Sequence, residues 1–206
     1  MTHSRRYLMI AAALAALVTL TIPAHAEKRT AIFAGGCFWC VESDFDGVEG
    51  VVSTTSGYIG GSADTANYKA VSHGGTGHFE AVKIVYDSDK VTYGRLVDIL
   101  WRTIDPTDAG GQFCDRGSSY KTGVFVANDS ERKIAKASKD KAQEALGRKI
   151  VTPILDAGPF YDAEGYHQDY YKKNPVRYKI YRYGCGRDAR IEALWGEQAM
   201  MGVKGH

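Results

Sequence analysis

The sequence predicts an α+β fold: a single two-layer domain on a small mixed β-sheet, with flanking helices and long loops. Three observations carry this. Short strand-like and helical stretches interleave, but the strands are too few and too irregular for a doubly wound parallel sheet. No repeat, low-complexity tract or linker divides the chain. Its 206 residues suffice for one well-buried domain and are short for two. With 44% hydrophobic and 24% charged residues, collagen, coiled coil and bulk disorder are excluded. The net charge is +2, and two arginines lie in residues 1–26, which hold no acid. The remaining chain is neutral, so there is no electrostatic case for nucleic acid or an anionic membrane as partner.

Each element has a local reason. Thr30 to Ala34 is a short strand running into Gly35-Gly36, and Cys37 opens a helix to about Phe45. Gly50 to Thr55 is β-branched and strand-like, followed by a Gly-rich turn at Gly57-Tyr58-Ile59-Gly60-Gly61. Phe79 to Tyr86 alternates as a strand. Thr92 caps a helix whose Leu96, Val97, Leu100, Trp101 and Ile104 form one apolar stripe, and Asp105-Pro106 stops it. Residues 107–119 form a long polar loop, and loops of that length in compact domains are usually functional. Gly123 to Ala127 is a strand. Ser130 is expected to cap a helix ending at Gly147. Ile150 to Leu155, broken by Pro153, reads as an edge strand. Seven of the thirteen tyrosines lie between Tyr161 and Tyr183, read mostly as a packed aromatic layer, and Asp188 to Trp195 as an amphipathic helix.

Residues 1–26 read as a signal peptide. Arg5 and Arg6 form a basic start, and Leu8 to Ile22 is an apolar run of about fifteen residues, shorter than the roughly twenty a spanning helix needs. Ala24-His25-Ala26 offers the small residues a signal peptidase cuts after. The expectation is an exported, periplasmic chain beginning at Glu27, with no stable membrane insertion after cleavage. Ser4 to Met9 also looks like a twin-arginine signal.

The most informative stretch is Gly35-Gly36-Cys37-Phe38-Trp39-Cys40. A cysteine at the first turn of a helix faces unpaired N–H groups and the positive end of the dipole, which favour the nucleophilic thiolate. Paired glycines let the backbone bring that sulfur forward. Cys40 is within disulfide reach across one turn. A lone CxxC is a weak signal, compatible with redox chemistry, zinc or accident.

Five motifs occur in order: GGCFW after a strand, Gly57-Tyr58-Ile59-Gly60-Gly61, Gly77-His78-Phe79-Glu80-Ala81-Val82, Asp105-Pro106-Thr107, and Tyr166 to Tyr171 with Asn174-Pro175. Together they resemble the peptide methionine sulfoxide reductase A family, from about Thr30 to Gly184. The resemblance implies a catalytic domain over residues 27–206 that reduces methionine S-sulfoxide, free or in oxidised proteins, and so repairs them. It implies Cys37 as the catalytic cysteine and Glu80 as the acid that protonates the sulfoxide oxygen. Tyr58 and Tyr120 match the tyrosines that hydrogen-bond that oxygen, and Asp115 the acid of the loop before Tyr120. Phe38 and Trp39 match the pocket for the methyl group. No organic cofactor or metal is implied, only an external dithiol reductant such as a thioredoxin-like protein. His78 and His73 fit no zinc spacing, and His167 reads as a structural hydrogen-bonding residue rather than a base.

The chemistry asks for these residue types. A thiolate attacking a sulfoxide sulfur drives charge onto oxygen, so donors must face that oxygen and one must give up a proton. A carboxyl group serves only if burial keeps it protonated near neutral pH. Methionine leaves, Cys37 becomes a sulfenic acid, and a second cysteine condenses with it. Cys40, Cys185 and Cys114 are all candidates for that resolving step, with a slight lean to Cys40. Relatives often carry Gly at the position of Cys40 and a cysteine behind the Asn-Pro pair, where Tyr178 stands here. Two other functions compete: an exported thiol–disulfide oxidoreductase using Cys37 and Cys40, and a disulfide-stabilised binding domain. Neither gives Glu80 and the tyrosines a task at an oxygen.

Overall fold

The computed structural model describes residues 27–205; the expected signal peptide lies outside the described residues. Six strands form one mixed sheet. They are β1 (Lys28–Gly35), β2 (Val51–Ile59), β3 (Phe79–Asp87), β6 (Thr122–Val126), β7 (Ile154–Asp156) and β8 (Phe160–Asp162), in the order β7-β6-β1-β3-β2-β8. All neighbours are antiparallel except β6 and β7. Two two-residue strands, β4 (Gly111–Gln112) and β5 (Asp115–Arg116), pair separately in the 107–119 loop. The α+β expectation therefore holds.

Period-two alternation decides which way each strand faces. Phe33 on β1, Val82, Ile84 and Tyr86 on β3, and Val124 and Val126 on β6 are buried in the main core. That core is completed by α1 (Phe38–Asp46), α3 (Tyr93–Thr103), α4 (Asp129–Leu146) and α7 (Arg187–Trp195). The helix stripe Leu96, Val97, Leu100, Trp101 and Ile104 is fully buried. Trp101 satisfies its indole N–H on Ser138 Oγ at 2.8 Å. Glu80 shares the parity of Val82 and Ile84, so its carboxyl is forced onto the helix-covered face. The opposite face carries a smaller cluster of Ala34, Ile59, Ala81 and Phe125.

Three local expectations are corrected. Gly57 to Ile59 are not a turn: β2 runs to Ile59, because β8, unforeseen in the sequence, pairs along it. Gly57 is needed for that pairing, since a Cβ there would lie 2.4 Å from the Phe160 ring and the Tyr161 carbonyl. The cap of α4 is Asn128, not Ser130. Asn128 accepts from Glu131 N at 3.0 Å, and the Glu131 carboxylate reaches back past the cap to accept from Ala127 N at 2.8 Å. The tyrosines between Tyr161 and Tyr183 are not one packed layer. Tyr178 is buried, but Tyr166 is exposed and Tyr183 is 88% exposed. β7 is the edge strand expected, starting after Pro153, though it covers only Ile154–Asp156.

Candidate active site

Six elements converge on Cys37. Gly36 holds a left-handed backbone (φ 83°), and a Cβ there would lie 2.5 Å from Gln112 Cβ, so only glycine lets the chain turn here. Cys37 is the N-cap of α1, with no capping hydrogen bond from its side chain. The first N–H of the helix, that of Phe38, donates to Glu80 Oε2 at 3.1 Å. A cavity of about 80 Å³ lies over the sulfur, lined by Cys37, Phe38, Trp39, Tyr68, Glu80, Asp115, Tyr120 and Tyr181. A larger cleft of about 530 Å³ beside Tyr171 and Lys204 contains no Cys37 or Glu80.

Glu80 is buried. Burial pushes its carboxyl up to about 8, and the charges of Asp115 and Cys40 add to this, while the Phe38 N–H and the Tyr120 hydroxyl oppose it. Glu80 is thus protonated near neutral pH. Asp115 is half-buried and shifted upward, again by burial, against a hydrogen bond from the Tyr181 hydroxyl and the charge of Arg187. Burial raises Tyr68, Tyr120 and Tyr181 above the usual tyrosine range, so all three hydroxyls remain donors.

The apolar wall is aromatic. Trp39 stacks on Tyr170 with ring centroids 3.7 Å apart and meets Tyr181 edge-on at 5.7 Å. Its indole N–H donates to His167 Nδ1 at 3.0 Å, the structural role expected of that histidine. Phe38 packs against Tyr58 and His167. His78 spends both ring nitrogens on backbone, Gly61 N at 3.2 Å and Ser62 O at 2.9 Å.

The structure brings Cys37, Phe38, Trp39, Glu80, Asp115 and Tyr120 to one cavity, and it corrects the sequence reading at three places. Tyr58 sits directly opposite Glu80 across the β2–β3 ladder, but its hydroxyl donates to Glu164 Oε2 at 2.8 Å and does not line the cavity. Tyr68 lines it instead, at the start of α2 (Tyr68–His73), fixed by Glu164 accepting from its backbone N at 2.9 Å. The helix start does not make Cys37 a thiolate: burial, then the hydrogen bond and charge of Cys40, push the Cys37 thiol well up. Cys185 and Cys114 are not free, since they form a disulfide with each other, while Cys37 and Cys40 remain thiols. Tyr181, which donates to Asp115 and lines the cavity with Cys37, went unrecognised among the C-terminal tyrosines, where no spacing singles it out.

Fold and site together define a thiol-dependent oxidoreductase, its buried cysteine set beside a protonated carboxyl in a small aromatic cavity. The model of the peptide methionine sulfoxide reductase family matches residues 29–199. The chain is 53% identical over 185 residues to peptide methionine sulfoxide reductase MsrA 2 of Rhizobium meliloti (strain 1021), covering 89% of this chain and 92% of that one. It is 49% identical over 172 residues to MsrA of Bacillus subtilis (strain 168), covering 82% and 97%. Among solved structures it resembles reduced Mxr1 of Saccharomyces cerevisiae (33% identity, TM-score 0.70, 73% and 87% covered). It also resembles methionine sulfoxide reductase A of Corynebacterium diphtheriae (32%, 0.65, 74% and 78%). The chain belongs to the peptide methionine sulfoxide reductase family, and it reduces methionine sulfoxide to methionine in protein repair.

The placement of the tyrosines sets an expected contrast. Tyr68→Phe or Tyr120→Phe removes a donor facing the cavity and should lower the single-turnover rate by about 10²-fold, as loss of one oxyanion donor does. Tyr58→Phe breaks only the bond to Glu164 and should cost about 1 kcal/mol of stability with a far smaller rate effect. Rapid-mixing kinetics and denaturant melts separate the two; a larger rate loss in Tyr58→Phe would reverse the correction.

Proposed function

We propose that Cys37 attacks the sulfur of methionine S-sulfoxide while Glu80 protonates the departing oxygen, Tyr68 and Tyr120 bind that oxygen, and Phe38 and Trp39 enclose the methyl group. The observation that carries this is the buried, protonated Glu80 on the same cavity as Cys37. Cys40 is hydrogen-bonded to Cys37 and takes its proton as the attack begins. Methionine leaves and Cys37 becomes a sulfenic acid. Cys40 then condenses with it, because Cys40 is free one helical turn away while Cys114 and Cys185 are bonded to each other. A thioredoxin-like dithiol protein restores the thiols.

Reduction of each epimer with dithiothreitol tests the reading. The S epimer should turn over, the R epimer should not, and Cys37→Ser should be inert. Enzyme given substrate without reductant should yield a Cys37–Cys40 disulfide on peptide mapping. Turnover by Cys37→Ser, or loss of selectivity between epimers, would overturn it.

The acid role has a pH signature. Glu80 is protonated below about 8, so sulfenic acid formation should slow as pH rises through that value. Glu80→Gln should slow it by about 10²–10⁴-fold at neutral pH. The stability effect has the opposite sign. A carboxyl raised on folding contributes stability at low pH that is lost as pH climbs from the ordinary carboxyl range toward about 8. Glu80→Gln removes that loss, so relative to wild type it should become more stable as pH rises. A variant both as active and as pH-sensitive as wild type would remove Glu80 from the role.

We also propose that the protein is exported to the periplasm through its N-terminal segment. The basic start, short apolar run and Ala24-His25-Ala26 support this, as does an accessible disulfide of the kind that oxidising compartments maintain. N-terminal sequencing and thiol mapping of the exported chain should show Glu27 first and Cys114–Cys185 oxidised. An intact Met1 would exclude cleavage.

A further inference from the structure

Cys40 lies on the buried face of α1, one turn before Asp44. Two arginines from the C-terminal helices end beside that turn. Arg182 of α6 (Pro175–Gly184) reaches Asp44 Oδ1 with Nη1 at 2.7 Å, and Arg187 of α7 reaches Asp44 Oδ2 with Nη2 at 3.5 Å. Arg182, Arg187 and Asp44 are all buried. Arg182 also holds Asp188 through Nε and Nη2, but the Asp188 side chain is 52% exposed, and solvent screens its charge. Of the carboxylates these guanidinium groups act on inside the protein, Asp44 is fully buried, while Asp115, on which the charge of Arg187 also acts, is half-buried. Arg187 Nη1 and Nη2 donate to the carbonyls of Gly35 (3.1 Å) and Thr103 (2.8 Å), which carry no net charge. Its Nε is buried without a hydrogen-bond partner, and the Phe113 ring covers the guanidinium at 4.8 Å. A buried surplus of positive charge is costly unless an anion shares the site.

We propose that Arg187, with Arg182 beside it, is a positioning residue that holds Cys40 as a thiolate for the resolving step. The inference rests on the reading of Cys40 as the resolving cysteine. Cys40 is faced by Cys37 and Asp44 on its own helix, Tyr178, Tyr181 and Arg182 on α6, Arg187 on α7 and Glu80 on β3. Burial keeps both tyrosines neutral, and Glu80, once it has given its proton to the sulfoxide oxygen, takes up another from solvent near neutral pH before the resolving step. The charges left are the arginines and Asp44. The Cys40 thiol is drawn down to about 7, first by the hydrogen bond from Cys37, then by Arg187 and Arg182, against burial and Asp44. In the step itself, Cys40 releases the proton it took from Cys37, its thiolate attacks the Cys37 sulfur, the S–S bond forms and the S–O bond breaks, and that proton is available to the departing oxygen. Hydroxide departs and takes up a proton as water; the Cys40 sulfur is oxidised and the Cys37 sulfenic sulfur reduced to the disulfide level.

Arg187 also ties α7 to the ends of β1 and α3, so loss of stability alone proves nothing. In a Cys37→Ser background with the Cys114–Cys185 bond intact, Cys40 is the one free thiol, and ultraviolet thiolate absorbance titrates it directly. Arg187→Met should raise its midpoint by about one pH unit or more, a roughly tenfold loss of thiolate near neutrality, as removal of a nearby opposite charge does. Arg187→Lys should retain most of the shift. Asp44→Asn should move the midpoint the other way, downward, which a merely structural role cannot produce. If Arg187→Met fails to fold, the lysine and asparagine variants carry the test. Midpoints that coincide, or an Asp44→Asn midpoint that rises, would overturn the proposal. Absence of a Cys37–Cys40 bond in substrate-treated wild type would sink the resolving assignment by itself, whatever the titration shows.

Discussion

Glu80 is held where its charge is unwelcome, and much of the molecule serves to keep it there. β3 lies inside the sheet between β1 and β2, so its residues cannot drift toward an edge. Alternation puts Glu80 on the face of Val82 and Ile84, against α1. The helix start supplies the Phe38 N–H at 3.1 Å, which by itself favours a carboxylate. Burial outweighs it and keeps the proton on. The balance suits an acid catalyst: neutral before reaction, but with a donor already aimed at the charge that appears when the proton leaves.

The C-terminal third closes the site and is pinned to α1 by polar contacts more than by apolar packing. His167 and Tyr170 hold Trp39, Tyr171 and Lys172 meet Asp46 at 2.7 Å, and Arg182 meets Asp44. Asp169 donates its backbone N–H to Glu42 at 3.0 Å. Among these, the Arg182–Asp44 pair is buried; such a pair adds little net stability over apolar packing, yet breaking it costs about 3–5 kcal/mol, because it strands the other charge. These contacts therefore specify one docking of the C-terminal helices. The walls of an 80 Å³ cavity need that specificity, because a methyl group leaves little room for error.

The strands and helices with their own periodicity were legible: β1, β3, α3 and α7 lie within a few residues of where the pattern puts them. What was missed needs a partner to exist. β8 is three residues long and forms only because β2 offers an edge that Gly57 leaves open. Among the site residues, Cys37, Phe38, Trp39, Glu80, Asp115 and Tyr120 lie together as the motif order implies. Tyr58 was assigned by the motif resemblance, but the direction of its hydroxyl depends on Glu164, 106 residues on, which no local motif encodes. Tyr68 and Tyr181 owe their places to Glu164 and Asp115, contacts that no local spacing encodes.

The four cysteines divide by burial, and the division explains why a second pair exists at all. Cys37 and Cys40 are buried beside the arginines and the acid, where charge can be controlled. Cys114 is exposed and Cys185 half-buried, and their bond lies outside the cavity. Yet Cys114 precedes Asp115, and the backbone N–H of Cys185 donates to the Tyr181 carbonyl at 2.9 Å. The bond thus joins the loop that carries Asp115 to the helix end that carries Tyr181, whose side chains meet on the cavity wall. Linking residues 71 apart contributes about 2–4 kcal/mol by restricting the unfolded chain. Its larger consequence is geometric. The Asp115 loop has few buried apolar residues of its own, and besides the bond it is held against the cavity by the Tyr181 hydrogen bond, the Gln112 contacts to the Asp105 backbone (2.8 and 2.9 Å) and Phe113 against the Arg187 guanidinium.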